Sequence, residues 1–335
     1  MPRVMVCGSI ATDHLMVFAK SFTDYLVPES LDRISLSFLA DDLQIRRGGV
    51  GANICYGLGS LGADSILVGA VGADFAEYRR LLEERGVDTT AVRVSAERHT
   101  ARFVCTTDCR ENQIATFYAG AMTEAADIDL GLVVADCGAP DLVVVAADDP
   151  AAMVRHTRAC RSLGVPVAAD PSQQLARMAG ADIRELVDGA AYLFGNEYEK
   201  ELLCRSTGWS RDEVLERVGT WVTTLGAGGV RIEQAGRETL EIPAVPATVV
   251  DPTGGGDAFR AGFLAAWSWG FDLADAARVG CALAAEAIEA LGGQGYELRP
   301  EQFVERFAGS YGADIARRLA GHLAPGAVPA ATAEW

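Results

Sequence analysis

Apolar and polar positions along the chain fall into two patterns. The first is the continuous apolar run. Val4-Met5-Val6-Cys7 ends in Gly8-Ser9, and runs of the same type recur at 65–70, 141–146, 165–169, 192–194 and 221–225. Such runs predict strands buried on both faces of a parallel sheet. Helical periods between them predict helices at 52–61, 75–85, 151–163, 182–187 and 197–203, and three more at 257–269, 272–291 and 301–319 close the chain. The alternation predicts an α/β fold. Its centre is a doubly wound, mainly parallel sheet flanked by helices, with ligands at the strand carboxyl ends.

The second pattern is strict alternation. It covers 34–39 and 41–46, and again 100–107 and 112–118 around a turn at Asp108-Cys109-Arg110-Glu111. A period of two predicts half-exposed antiparallel strands. Both pairs interrupt the α/β pattern, so they are assigned to one small β-sheet standing off the main domain as a lid. The predicted division is a core of 1–13, 48–98 and 119–322, a lid of 14–47 and 99–118, and a Pro/Ala-rich tail of 323–335 expected to be disordered.

Composition narrows the function classes. The 335 residues are 50% hydrophobic, enough for one large core. Lys and Arg number 29 against 46 Asp and Glu, a net charge of −17. Such a surface repels nucleic acid and anionic membrane, so neither is an expected partner. It does not oppose a phosphate ligand held by local N–H groups. The eight cysteines lie in apolar segments without CxxC spacing and the four histidines are far apart, which predicts reduced thiols in a cytoplasmic protein rather than a zinc site. Asp13 interrupts the first apolar run, so no signal peptide is expected, and no stretch approaches the ~20 apolar residues of a membrane span.

The candidate chemistry centres on Asp251-Pro252-Thr253-Gly254-Gly255-Gly256-Asp257, followed by an apolar helical run. Glycines can turn their N–H groups into one concavity, and a helix start adds free N–H groups and a positive dipole end. The result suits a phosphoryl group gaining charge in flight, with Asp257 placed to take a hydroxyl proton. Taken alone, Gly-Gly-Gly-Asp is equally a turn whose Asp caps a helix. Elsewhere, Gly57-Leu58-Gly59-Ser60-Leu61-Gly62 spells GxGxxG, but inside a predicted helix rather than after a strand, so no dinucleotide site is assigned. GxxxxGK[ST] does not occur.

Asp251 to Asp257 resembles the signature of the PfkB (ribokinase-like) family of carbohydrate and nucleoside kinases. Arg47-Gly48-Gly49-Val50-Gly51-Ala52-Asn53 resembles that family's other signature. The resemblance runs to about Leu319 and implies transfer of the ATP γ-phosphoryl to an alcohol. It makes Asp257 the base and Gly254, Gly255 and Gly256 the anion hole. It also implies substrate contacts at Asp13, Gly49 and Asn53. Asn196 and Glu199, an NxxE pair after a strand, would act on ATP phosphate and on Mg²⁺ through water. Thr224, Gly226 and Gly229 resemble the nucleotide loop, although Gly228 stands where the family often has a charge. Asp251 matches a position that holds a monovalent cation in potassium-dependent members, so K⁺ is carried as an optional ligand.

Both signatures suit a ribose or a free sugar. Phe103 and Phe117 on the predicted hairpin, with Phe38 on the other pair, favour a flat purine, since stacking is worth about 1–3 kcal/mol per base. Within the family the chain is most similar to bacterial adenosine kinases of mycobacterial type. That likeness rests on 8–15, 35–39, 170–177 and 253–263. It implies an adenosine pocket lined by Ser9, Asp13, Ser37, Gly49, Asn53, Phe103, Phe117 and Gln173, a role in purine salvage, and a homodimer joined through the lid. A ribose or fructose kinase and a non-catalytic nucleoside-binding module are the alternatives.

Overall fold

The computed structural model describes residues 2–26 and 36–323. In chain order the first half holds β1 (Val4–Cys7), β2 (Ala11–Phe18), β3 (Asp42–Gly48), α1 (Val50–Ser60), β4 (Ser65–Val71), α2 (Ala76–Glu84), β5 (Val87–Asp88), β6 (Val92–Val94), β7 (Ala101–Asp108) and β8 (Gln113–Tyr118). The chain continues through α3 (Leu130–Cys137), β9 (Leu142–Ala146), α4 (Pro150–Leu163), β10 (Val167–Asp170), α5 (Gly180–Val187), β11 (Tyr192–Asn196), α6 (Glu197–Thr207), α7 (Arg211–Leu215) and β12 (Thr220–Thr224). It closes with β13 (Val230–Glu233), β14 (Leu240–Ile242), α8 (Gly255–Ser268), α9 (Leu273–Ile288), α10 (Pro300–Tyr311) and α11 (Ala313–Ala320).

The large sheet runs β14-β13-β12-β11-β10-β9-β1-β4-β5, with β6 also on β4. It is parallel from β12 to β5 and antiparallel through β13 and β14. Alternate residues of β1 enter different cores. Val4 and Val6 pack with α1, α8 and α9, whereas Met5 and Cys7 pack with α4 and α5. Both faces are therefore covered, as the continuous apolar runs require. Because β4 and β9 lie on opposite sides of β1, the chain changes direction there, and a crevice opens at the carboxyl end of β1. Gly8 and Ser9 stand at its mouth.

Helix ends follow local chemistry. Asp149 caps α4 by accepting from the Ala151 and Ala152 N–H groups, Pro150 opens it, and Gly164 ends it in the left-handed region at φ 69°. The single helix expected over 301–319 is two, because Gly312 between α10 and α11 takes φ 96°. Gly57 and Gly59 of the GxGxxG string do lie inside α1.

The second sheet is β3-β2-β7-β8, with β2 parallel to β7 and the other pairs antiparallel. It is the expected lid, with two corrections. Its first strand begins at Ala11, so Asp13 is a strand residue and not a loop residue. Residues 36–41 form no strand. There Phe38 leaves the sheet to pack on Phe18, Phe22 and Tyr25, with ring centroids 4.9, 4.9 and 5.9 Å apart. Ile34, Ser35 and the expected tail from Ala324 lie outside the described residues.

Candidate active site

Helix α8 starts at Gly255, and Gly254 precedes it at φ 77°, ψ −3°. A Cβ on Gly254 would come within 2.4 Å of Gly293 Cα, so both conformation and space demand glycine. The N–H groups of Gly256 and Asp257 fall in the first helical turn, where no intrahelical acceptor exists. They and the positive end of the helix dipole make the hollow a site for anionic oxygen. Asp257 stands in the same turn, at the lip.

One hydrogen bond and one nearby charge act on Asp257. Its Oδ2 accepts from Asn53 Nδ2 at 2.8 Å. Behind it, Arg260 pairs with the fully buried Asp170, with Nη2–Oδ1 at 2.6 Å and Nε–Oδ2 at 2.5 Å. Burial raises the Asp257 pKa, and Arg260 and the Asn53 hydrogen bond pull it back down. Asp170 is likewise pushed up by burial, to about 6, against the pull of Arg260. Asp257 is thus a carboxylate that accepts a proton more readily than a solvated one, with one oxygen held by the Asn53 donor.

The lid supplies the facing wall. One register row crosses all four strands: Arg46, Asp13, Phe103 and Phe117. Residues in one row project from the same face of a sheet. Arg46 shows which face this is, since its Nη1 donates to Asp251 Oδ2 in the anion-hole loop at 3.0 Å. Two phenylalanine rings and a carboxylate therefore share the sheet face that looks toward the helix start carrying Asp257. Phe117 keeps 41% of its surface exposed, so the aromatic face is open. Desolvation raises the Asp13 pKa, Arg46 opposes it, and Asp251 adds to it.

Gly49 joins lid to core at φ 95°, where a Cβ would lie 2.5 Å from the Ser9 carbonyl oxygen. Buried Ser9 accepts from the Val50 N–H at 3.0 Å, so its hydroxyl oxygen serves the start of α1 and, through it, Asn53. Ser37 is different. It stands exposed beside Phe38, and nothing among the described residues joins it to Asp13 or Asn53.

On the nucleotide side, Asn196 and Glu199 form a capping box on α6: Asn196 Oδ1 accepts from the Glu199 N–H and Glu199 Oε2 from the Asn196 N–H, both at 2.8 Å. The NxxE spacing therefore has a local structural cause. One acceptor is left over, because Glu199 Oε1 receives only a long 3.4 Å contact from Ser172 Oγ. That oxygen fits a hydrated Mg²⁺, which keeps most of its waters. Ser172 sits at φ 45°, rare for a residue with a side chain, and also donates to the exposed Gln173 Oε1 at 2.6 Å. The neighbouring Gln174 is the buried amide, bonded to the Asp148 carbonyl at 2.7 Å. Thr224 ends β12, and Gly226 to Gly229 make the turn into antiparallel β13.

Asp251 does not fit a bare monovalent cation. Its Oδ2 already accepts from Arg46 and from the Gly292 N–H at 2.9 Å, and its Oδ1 from the Thr253 N–H at 3.0 Å. Burial, the largest influence, pushes the carboxyl pKa up, but the hydrogen bonds from Thr253 and Gly292, and after them the Arg46 charge, outweigh it and hold the carboxyl low. The guanidinium supplies the paired positive charge. Sequence patterns gave no sign of Arg46, Arg260 or Asp170 as site residues. The only signal was their place, one on a lid strand and two at a strand end and helix start.

A glycine-built anion hole at a helix start, set at the carboxyl edge of a parallel sheet and faced by a small second sheet, defines the ribokinase-like α/β class. The chain belongs to the pfkB family of carbohydrate kinases, whose profile matches residues 10–298. The nucleoside kinase of Methanothermobacter thermautotrophicus is 34% identical over 269 residues, 79% of this chain and 85% of that protein. The structure of Burkholderia thailandensis nucleoside kinase in complex with inosine aligns with a TM-score of 0.80 at 36% identity, covering 92% of this chain and 98% of that one. Methanocaldococcus jannaschii nucleoside kinase aligns at 0.80 with 28% identity, over 92% and 99% of the two chains. These relatives are nucleoside kinases and not specifically adenosine kinases of mycobacterial type, which broadens the expectation drawn from the sequence.

Proposed function

We propose that the protein transfers the γ-phosphoryl of ATP to the 5′-hydroxyl of a purine nucleoside, with adenosine as acceptor and inosine as its nearest competitor. The row Asp13–Phe103–Phe117 carries this reading, because it sets a hydroxyl-binding carboxylate beside two aromatic faces opposite Asp257. A ring of purine size needs such faces, and a free sugar does not. The inosine complex of the Burkholderia thailandensis enzyme supports the same class of acceptor.

In this reading the ribose hydroxyls bind Asp13, Asn53 and the backbone at Gly49. Asp257 takes the 5′-hydroxyl proton as the oxygen attacks the γ-phosphorus in line. Gly254, Gly255 and Gly256 stabilise the phosphoryl oxygens, and the leaving ADP lies toward Asn196, Thr224, Gly226 and Gly229. Mg²⁺, held through water by Glu199, would neutralise phosphate charge. Gln173 stands near enough to Ser172 to serve the pocket rim, and Ser37 would join it only if 36–41 moves on binding.

The outer face of the lid suits a second copy of the chain. Ile45, Leu43 and Ile114 project opposite to Asp13 and are 61%, 53% and 47% exposed. The eight unpaired cysteines favour a reducing cytoplasm.

The test is ADP release with Mg-ATP over adenosine, inosine, guanosine, ribose and fructose, with and without K⁺. Turnover on purine nucleosides is expected, without a need for K⁺. Turnover on a sugar alone would reject the aromatic reading and keep the phosphoryl chemistry. Nucleoside binding without ADP would leave only a binding module.

A further inference from the structure

We propose that Gln294 and Tyr78 are positioning residues that set the direction of a hydrogen-bond chain running from the lid hinge at Gly48 to Asp257. This rests on the reading of Asp257 as the base. The Tyr78 hydroxyl donates to the Gly48 carbonyl at 3.0 Å. Gln294 Nε2 donates to Tyr78 Oη and to Asn53 Oδ1, the latter at 2.8 Å. Asn53 Nδ2 then donates to Asp257 Oδ2 at 2.8 Å.

Both ends of this chain can only accept: one is a carbonyl and the other a carboxylate. Somewhere between them a single group must donate both ways. The Gln294 amide nitrogen, with two protons, is that group. Its Oε1 has no partner among the described residues, so the hold is exerted through nitrogen. An Asn53 amide turned over would set Oδ1 against the Asp257 carboxylate and Nδ2 against the Gln294 N–H groups, two repulsions at once. Gln294 therefore fixes Nδ2 toward Asp257. One Asp257 oxygen is kept as a hydrogen-bond acceptor and the other is left for the acceptor hydroxyl.

The placement is tight. Gln294 follows Gly293, where a Cβ would lie 2.8 Å from Asn53 Nδ2. At the other end, Gly48 is the last residue of the lid strand that carries Arg46. Tyr78 thus pins the foot of the lid to the same network that orients the base.

The experiment measures kcat and KM against pH for Gln294→Met, Gln294→Glu and Tyr78→Phe, with Asp257→Asn alongside and thermal melts on each. Loss of the Asn53 donation makes Asp257 harder to ionise, so the acid limb of kcat moves to higher pH. Gln294→Met is expected to lower kcat by about tenfold and to move that limb upward, with KM for ATP unchanged. Gln294→Glu is expected to lose more, because a carboxylate cannot donate. Tyr78→Phe, which removes one oxygen and no packing, is expected to lose about two- to fivefold in the same direction. An unmoved acid limb in folded Gln294→Met, or a lower Tm as its only change, overturns the proposal. Should the Gln294 variants fail to fold, an unmoved limb in Tyr78→Phe does so. An inert Asp257→Asn beside an unaffected Gln294→Met would sink the relay alone. A fully active Asp257→Asn would sink the reading of the base itself.

Discussion

The two walls of the crevice are made differently. The helix-start wall is backbone: three glycines, free N–H groups and a carboxylate in the first turn, with a buried Arg260–Asp170 pair behind. The lid wall is side chains on strands, one row of four, half exposed, over a sheet that has little core of its own. The first is fixed by close backbone approach, since a Cβ on Gly254 would meet Gly293 Cα at 2.4 Å and one on Gly255 would meet Ile288 at 2.7 Å. The second can be exchanged residue by residue. In the proposed reading, the phosphoryl chemistry sits on the first wall and the choice of acceptor on the second.

Replacements on each wall should therefore differ in kind. The largest effect is expected for Asp257→Asn, a fall in kcat of at least about 10², since a positioned base is worth roughly 10²–10⁴. Nucleoside affinity should persist, and a near-normal single-turnover rate would break the comparison. Phe103→Ala comes next. Loss of a stacking face worth about 1–3 kcal/mol should raise KM for adenosine about 5- to 150-fold and change kcat much less. A kcat loss equal to the KM rise would mean the lid also places the reacting hydroxyl.

Ile45→Lys on the outer lid face should convert the proposed dimer to a monomer in sedimentation, while the nucleoside site stays intact. A wild-type protein that sediments as a monomer would remove that role from the lid. The smallest effect concerns the lid foot. Asp74 accepts from the Thr100 N–H and hydroxyl and pairs with Arg102. Burial pushes its pKa up, but these partners outweigh burial and hold it at about 2, against 3.8 for a free side chain. Its stabilisation is present above pH 3.8 and is lost as pH falls through about 2. Because the pair is partly solvated, Asp74→Asn should cost about 1 kcal/mol, a Tm loss of about 2 °C at neutral pH. Equal Tm values for both proteins at pH 7 would show that the foot contributes nothing.

The sequence by itself determined the parts that are contiguous or periodic. Continuous apolar runs marked β1, β4 and β9 to β12 but not the short β5 and β6 or lid strand β2, alternation marked β3, β7 and β8, and one string of seven residues held the glycine helix start and Asp257. The pairing of Phe103 with Phe117 follows from a hairpin, whose register is local. The same alternation misled at 36–39, because a period of two describes any residues that could face two ways and says nothing about a partner strand. Phe38 joined an aromatic cluster instead.

Tertiary structure alone decided the rest. Arg46 meets Asp251 across 205 positions and Gln294 meets Asn53 across 241. Asp170 meets Arg260 across 90. Such partners carry no spacing that a linear pattern can register, because their distance is set by how sheet, lid and helix pack. Which charge pairs with Asp251, and which amide meets Asn53, are consequences of that packing.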